Sequence, residues 1–173
     1  MDAWKTAARE PEKAEVVVRR LEPRDVDGVI ALDAKVIGRR REGYLRPKLK
    51  EALEESGITV SLAADMNGRL AGFLLGKVYY GEFGATEPVA VLDTLGVHPD
   101  AKGQGVAAAL MDQLRANLRG LRIPRLRTEV GWDVQDLLSF FHHEGFRPAA
   151  RICLELDLES AAERERIERR ASR

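Results

Sequence analysis

Apolar positions recur along this chain with two different periods, and the switches between them predict its elements. The β-branched run Val16 to Val18 opens an edge strand that ends near Glu22. Asp25 stands where a helix cap belongs, and Val26, Val29, Ile30 and Ala34 follow at helical spacing until Gly38. A second helix is predicted from Pro47, a residue suited to a first helical turn, through Leu49, Ala52 and Leu53 to Gly57. Ile58 to Ala64 and Leu70 to Tyr80 read as extended segments. The Asn67-Gly68 pair between them signals a tight hairpin turn, so the two should be antiparallel.

Val89 to Val97 has the apolar content of a central strand, interrupted only by Asp93. After Gly105, the residues Val106, Ala109, Leu110, Leu114 and Leu118 share one helical face, and Gly120 closes it. Leu126 to Val130 reads as a strand, Val134 to His143 as a short helix on Leu137, Leu138 and Phe141, and Arg151 to Leu158 as a last strand of alternating polarity. Strands alternating with helices place the chain in the α/β or α+β class. The expected organisation is an N-terminal extension over residues 1–13, one domain over 14–158 and a charged tail or helix over 159–173, with no internal repeat.

Charge and composition narrow the partners. Lys plus Arg number 28 and Asp plus Glu number 28, so no chain-wide field recommends nucleic acid or an anionic membrane. Arg39 to Arg41 is a short basic run, either solvated or a contact for an acidic partner. The single cysteine, Cys153, allows no intramolecular disulfide and suits a reducing compartment; it should pack against a sheet. Met1 to Glu15 lacks the apolar core of a signal peptide, and no segment approaches the roughly 20 apolar residues that span a bilayer. A cytoplasmic protein is the expectation.

The chemistry concentrates between Val97 and Ala107, where Val-His-Pro-Asp-Ala-Lys-Gly-Gln-Gly-Val-Ala joins a strand to a helix. Its glycines let consecutive backbone N–H groups converge, and the helix N-terminus adds unpaired donors and partial positive charge, so the turn suits a phosphate. No Gly-Lys-Ser/Thr follows, which excludes a P-loop, and the third glycine and ribose-binding acid of a dinucleotide fold are missing.

These residues resemble the GCN5-related N-acetyltransferase superfamily, whose pyrophosphate motif Gln/Arg-x-x-Gly-x-Gly/Ala is matched by Lys102-Gly103-Gln104-Gly105-Val106-Ala107. The resemblance extends upstream to Leu95-Gly96-Val97-His98-Pro99 and downstream to Phe140-Phe141-His142-His143-Glu144-Gly145-Phe146. It implies a mixed, mostly antiparallel twisted sheet with helices on both faces, split between two parallel strands to form a cofactor cleft. It also implies acetyl-CoA as co-substrate, with the backbone of Leu95, Gly96 and Val97 along the pantetheine arm and Lys102 through Ala108 around the pyrophosphate. Direct transfer of the acetyl group to a primary amine, carried by a small molecule or a peptide, is the implied reaction. A homodimer stays open, and so does the amine's identity. Two residues depart from the family pattern. Lys102 replaces glutamine or arginine but still offers donors and charge. Phe141 replaces a tyrosine that in many relatives protonates the departing thiolate, and phenylalanine donates no proton. It either lines the sulfur end of the cleft or is a core aromatic.

Asp93 lies on the strand that in this family borders the acetyl group and is the candidate acceptor of the amine proton; a structural ion pair is its alternative role. Glu129 is the reserve base. His98, before Pro99, should shape the turn, and His142 with His143 cannot join one metal because adjacent helical residues point apart, so no metal is expected. Trp132 either lines a substrate cleft or covers the core. A second reading, from another class, is a domain that binds acyl-CoA without turnover, prompted by Phe141.

Overall fold

Five strands cross one sheet in chain order: β1 (Val16–Arg20), β2 (Leu62–Met66), β3 (Arg69–Tyr79), β4 (Val89–Val97) and β5 (Arg125–Arg127). The first three pairings are antiparallel and only β4 and β5 run parallel. The structure is a computed structural model and describes residues 15–55, 60–81, 84, 86–158, 165 and 168–171. The helices that pack on it among the described residues are α1 (Val26–Ile37), α2 (Glu42–Lys50), α3 (Val106–Gly120) and α4 (Gln135–His143). The expected mixed, mostly antiparallel sheet with helices on both faces is the observed architecture.

The period-2 alternation of the strands sorts their side chains into two cores. Leu62, Ala64 and Leu74 join Val106, Leu110, Met111 and Leu114 of α3 on one face, while Ala63, Phe73 and Leu75 join Val29, Ile30 and Leu45 of α1 and α2 on the other. Each fully buried aliphatic side chain contributes about 1.5–3 kcal/mol. Helix α3 lies close against the sheet because Gly72 has no side chain; a Cβ there would stand 2.6 Å from Val106 Cγ1. Asn67 and Gly68 take φ of 53° and 73°, the left-handed pair that a two-residue hairpin requires, and so set the β2–β3 connection.

Beneath β1, Arg19 acts as a clamp. Its guanidinium donates to both oxygens of Asp25 at 2.7 and 2.8 Å and to Asp65 of β2 at 2.7 Å. Burial pushes the Asp25 carboxyl up, but the bonds from Arg19 and the Glu22 amide outweigh it and hold it below the usual carboxylate range. Asp25 stands at the N-cap position of α1 as the sequence suggests, but its side chain makes no capping bond there and accepts from the Glu22 amide instead.

Several other expectations change. Helix α2 starts at Glu42, so Pro47 lies inside it rather than in its first turn. The start is set by a tertiary contact: Arg41 donates to the buried Asp33 of α1 at 2.8 and 2.7 Å, and is not a solvated member of its basic run. A π-turn, Glu51–Glu55, follows; the predicted end at Gly57 lies outside the described residues, as do Ile58 and the extension over 1–13. Leu138 is on the exposed side of α4, and Met111 is a core residue that the α3 pattern omitted. Strand β5 stops at Arg127, because beyond it Thr128 meets β4 through its hydroxyl, donating to the Leu92 carbonyl at 3.0 Å, rather than through a backbone ladder. Arg151 to Leu158 forms no strand, and Cys153 is exposed instead of packed. Of the tail over 159–173, only residues 165 and 168–171 are described, and they are helical.

Candidate active site

The site is built where β4 leaves β5. Their ladder covers only Val89 with Arg125, Ala90 with Leu126 and Val91 with Arg127, so from Leu92 onward the β5-facing edge of β4 has no strand beside it among the described residues. On its other edge β4 stays paired with β3 through Val97. The register skips there: Leu75 faces Thr94 and Gly76 faces Leu92, which leaves Asp93 as the extra residue of a β-bulge. A bulge re-aims the side chain it carries, and this one turns Asp93 out of the sheet toward α2.

Three side chains donate to that carboxylate. Lys48 donates to it at 2.5 Å, the adjacent Thr94 hydroxyl at 2.8 Å and the Tyr44 hydroxyl at 3.3 Å. Tyr44 is itself held beneath Arg41, whose guanidinium carbon lies 4.7 Å from the ring centroid. The Asp33–Arg41 ion pair thus reaches Asp93 through one aromatic ring. Burial pushes the Asp93 carboxyl up, yet the bonds from Lys48 and Thr94 together with the Lys48 charge hold it below the usual range. The same contact, working against burial, raises the Lys48 ammonium. Beside them is a cavity of about 200 Å³ whose walls include Glu51, Leu75, Lys77 and Tyr79. Lys77 and Glu51 form an ion pair across it.

Past the bulge, at the C-terminal end of β4, lies the glycine turn. Pro99–Ala101 is a 3-10 turn that His98 braces: its Nδ1 accepts from the Asp100 amide at 3.2 Å and its Nε2 lies 3.0 Å from Lys35 Nζ. Gly103 and Gly105 then take φ of 75° and 83°, and a Cβ built on either meets nothing within 4 Å. The first bond of α3 runs from the Ala109 amide to the Gly105 carbonyl, so the amides of Val106, Ala107 and Ala108 have no helical acceptor. No acidic residue sits in that first turn to take them up. Open space over consecutive free donors fits an anionic group such as a pyrophosphate. Gln104 braces the turn by donating to the Asp100 carbonyl at 2.8 Å, and Lys102 is exposed beside it.

Between turn and bulge, the His98 amide donates to Ala71 of β3 at 2.8 Å. Alternation along β4 then turns the amides of Val97 and Leu95 toward the open edge, where an extended chain can pair with them. Gly96 is a glycine for a different reason: a Cβ there would lie 2.5 Å from the Phe73 ring.

A family model, the acetyltransferase (GNAT) family, matches residues 30–146 of this chain. The chain belongs to that family. Solved structures with this fold include the aminoglycoside N-acetyltransferase AAC(6')-Iy in complex with CoA, at TM-score 0.72 and 15% identity, covering 86% of this chain and 99% of that one. A ribosomal-protein-alanine N-acetyltransferase from Brucella melitensis biovar Abortus 2308 aligns at TM-score 0.66 and 20% identity, over 83% of this chain and 100% of that one. Ard1 from Thermoplasma volcanium aligns at TM-score 0.65 and 21% identity, over 78% and 84%.

Within this family member the remaining candidates take these places. Phe141 is 5% exposed and packs edge-to-face on Phe140 and Phe146, with ring centroids 5.3 and 5.0 Å away. Glu129 is exposed, two residues past the end of β5. Trp132 is exposed and does not cover the core. His143 bonds the Ser139 carbonyl of its own helix, and the described residues contain no group of three metal-ligating side chains. No helix among them is long and apolar enough to cross a membrane. Tyr44 and Lys48 were missed by the sequence reading. Their spacing of four puts them on one face of a helix, a signal that becomes visible once α2 starts at Glu42.

Proposed function

We propose that this protein transfers an acetyl group from acetyl-CoA to a primary amine by direct attack within a ternary complex, with Asp93 as the proton acceptor. The observation that carries this is the bulge at Asp93, which stands between the two halves of the site. On one side are the glycine turn and the open β4 edge. On the other are the cavity and the α2 side chains that reach into it.

The residues divide the work as follows. The amides of Leu95 and Val97 hold the extended pantetheine arm as a neighbouring strand would, and Gly103 through Ala108 hold the pyrophosphate, with the Lys102 ammonium beside them. Acetyl-CoA supplies an activated acyl carbon and a sulfur leaving group. The acceptor ammonium displaces Lys48 from the Asp93 carboxylate, which positions its nitrogen at the strand split. The ammonium first loses one proton to solvent, which frees its lone pair for attack on the acyl carbon; as the C–N bond forms and the C–S bond breaks, the nitrogen becomes acidic and Asp93 takes the second proton, directly or through one water. A carboxylate held below its usual range is a weak base toward a free ammonium, so positioning supplies more of the rate than basicity does. The sulfur departs as thiolate and needs no tyrosine at position 141. Glu129 is the alternative base. Amines are also what the aminoglycoside and ribosomal-protein-alanine enzymes of this fold are named for.

The test is release of free thiol from acetyl-CoA in the presence of a panel of amines: amino acids, polyamines, aminoglycosides and peptides with free N-termini. Acceptor-dependent release that vanishes in Gly105→Asp is the expected result. Tight acetyl-CoA binding with no release for any amine would replace the enzyme by a non-catalytic acyl-CoA module.

A further inference from the structure

Four charged side chains stand at the wall of the cavity beside the bulge, and they are already matched in two ion pairs: Asp93 with Lys48, and Glu51 with Lys77. The second pair is anchored, since Lys77 also lies over the Tyr79 ring, 5.3 Å from its centroid. The first joins a helix to a strand, and its partners are 33 and 34% exposed, so a better-placed cation can open it. At about 200 Å³ the cavity is smaller than the roughly 300–1,000 Å³ that holds a drug-sized ligand, and a small acceptor suits it.

The acetyl transfer proposed above brings a further cation into this set, and the inference rests on that reading. Once the acceptor ammonium takes the Asp93 carboxylate, Lys48 has lost its partner. The same acceptor displaces water from around it, which raises the cost of an uncompensated charge. Glu51 cannot relieve Lys48 without releasing Lys77. However the partners exchange, a plain amine leaves the cations of this wall in excess of its two carboxylates, and a polyamine increases the excess.

An acceptor that carries its own carboxylate restores the match. We infer that the substrate is a free amino acid, its ammonium on Asp93 and its carboxylate on the released Lys48 ammonium. Asp93 and Lys48 begin 2.5 Å apart, so an ammonium and a carboxylate joined through one carbon span the opened pair with little movement of the lysine. A peptide N-terminus has an amide in that place and brings no such charge. The bonds that form and break stay as described: N-acetyl amino acid and CoA thiolate are produced, with one amine proton gone to solvent and one on Asp93. The arrangement also clears the site for another turnover. The product amide is uncharged, so once Asp93 gives up its proton Lys48 returns to it, and the product carboxylate loses its partner.

Thiol release with matched acceptors tests this: the common L-amino acids, their amides, and the corresponding amines without a carboxyl group. The amine of an amino acid amide holds its proton less tightly than that of the acid. Intrinsic reactivity at neutral pH therefore favours the amide, and a preference for the acid must come from the site. The acid should exceed the amide in kcat/KM by about 10- to 100-fold, the worth of a charge-assisted hydrogen bond. Lys48→Met should raise KM for the amino acid by about tenfold, whereas for the amine without a carboxyl group it only removes a competing cation and lowers KM. An amide used as well as the acid overturns the inference and leaves the acetyl transfer standing. So does a preference for the acid that Lys48→Met leaves intact, and so does release with peptides, polyamines or aminoglycosides alone. No release with any amine overturns the transfer itself, and the inference with it.

Discussion

Lys48 holds its ammonium 2.5 Å from the Asp93 carboxylate, so a cation of the protein itself already sits where the proposed mechanism brings the acceptor amine. On that mechanism the acceptor competes with the lysine rather than filling empty space. Asp93→Asn should lower kcat by about 100-fold with acetyl-CoA affinity nearly unchanged, as steady-state rates and calorimetry will show. Lys48→Met should act mainly on KM for the amine, lowering it by about two- to fivefold, the worth of a partly exposed ion pair. A rate indifferent to Asp93→Asn would transfer the base role to Glu129 or bulk water.

Gly105 combines a φ of 83° with open space above it. Aspartate there should cost about 1–2 kcal/mol in stability through the left-handed backbone. Its carboxylate would face the pyrophosphate, so calorimetry should show acetyl-CoA affinity falling at least 100-fold in protein that still folds. Micromolar affinity in the variant would remove the turn from the binding site.

Phe141 lies between two rings and against the α3 core, so Phe141→Leu should lower the melting temperature more than it lowers kcat. Phe141→Tyr restores the hydroxyl that many relatives have there. If thiolate departure needs no acid, the substitution leaves kcat within about twofold. A tenfold gain would mean that protonation of sulfur limits the wild-type rate.

Arg19 neutralises Asp25 and Asp65 at once, and Asp25 is almost fully buried. Arg19→Met should therefore cost about 2 kcal/mol at neutral pH, read from denaturant melts. The sign with pH follows from the Asp25 carboxyl, whose folded value lies below its unfolded one. Its stabilisation is complete above the ordinary carboxylate pKa, about 4, and is lost as pH falls through the lower folded value. The gap between wild type and variant should thus be widest near neutrality and shrink below about pH 4. A gap that grows on acidification would contradict the clamp.

What the sequence made legible was local. The Asn67-Gly68 hairpin, the bounds of β4 and the N-terminus of α3 each depend on residues within a few positions of one another, and the glycine turn is read from the same short stretch. What it hid was set by partners far along the chain. Helix α2 starts where Arg41 meets Asp33, and without that start Tyr44 and Lys48 have no reason to be placed beside Asp93. The alternation of residues 151–158 is a strand signal, but a strand exists only where an edge receives it. Asp93 itself stood out as the one charge in an apolar run; that it is a bulge is a property of its pairing with β3.

That bulge also reverses the parity of β4. Before it, the even-numbered Ala90 and Leu92 face α3; after it, the odd-numbered Leu95 and Val97 do. The strand is two half-strands in opposite phase, with Asp93 as the joint. Deleting one residue between Val89 and Asp93 would restore a regular ladder and put the two halves back in step. With the halves in step, Leu95 and Val97 keep the face they share with α3, and what is lost is the bulge that turns the residue at position 93 toward α2. A substitution at Asp93 changes the group that the bulge presents, whereas a change of length there removes the bulge that aims it.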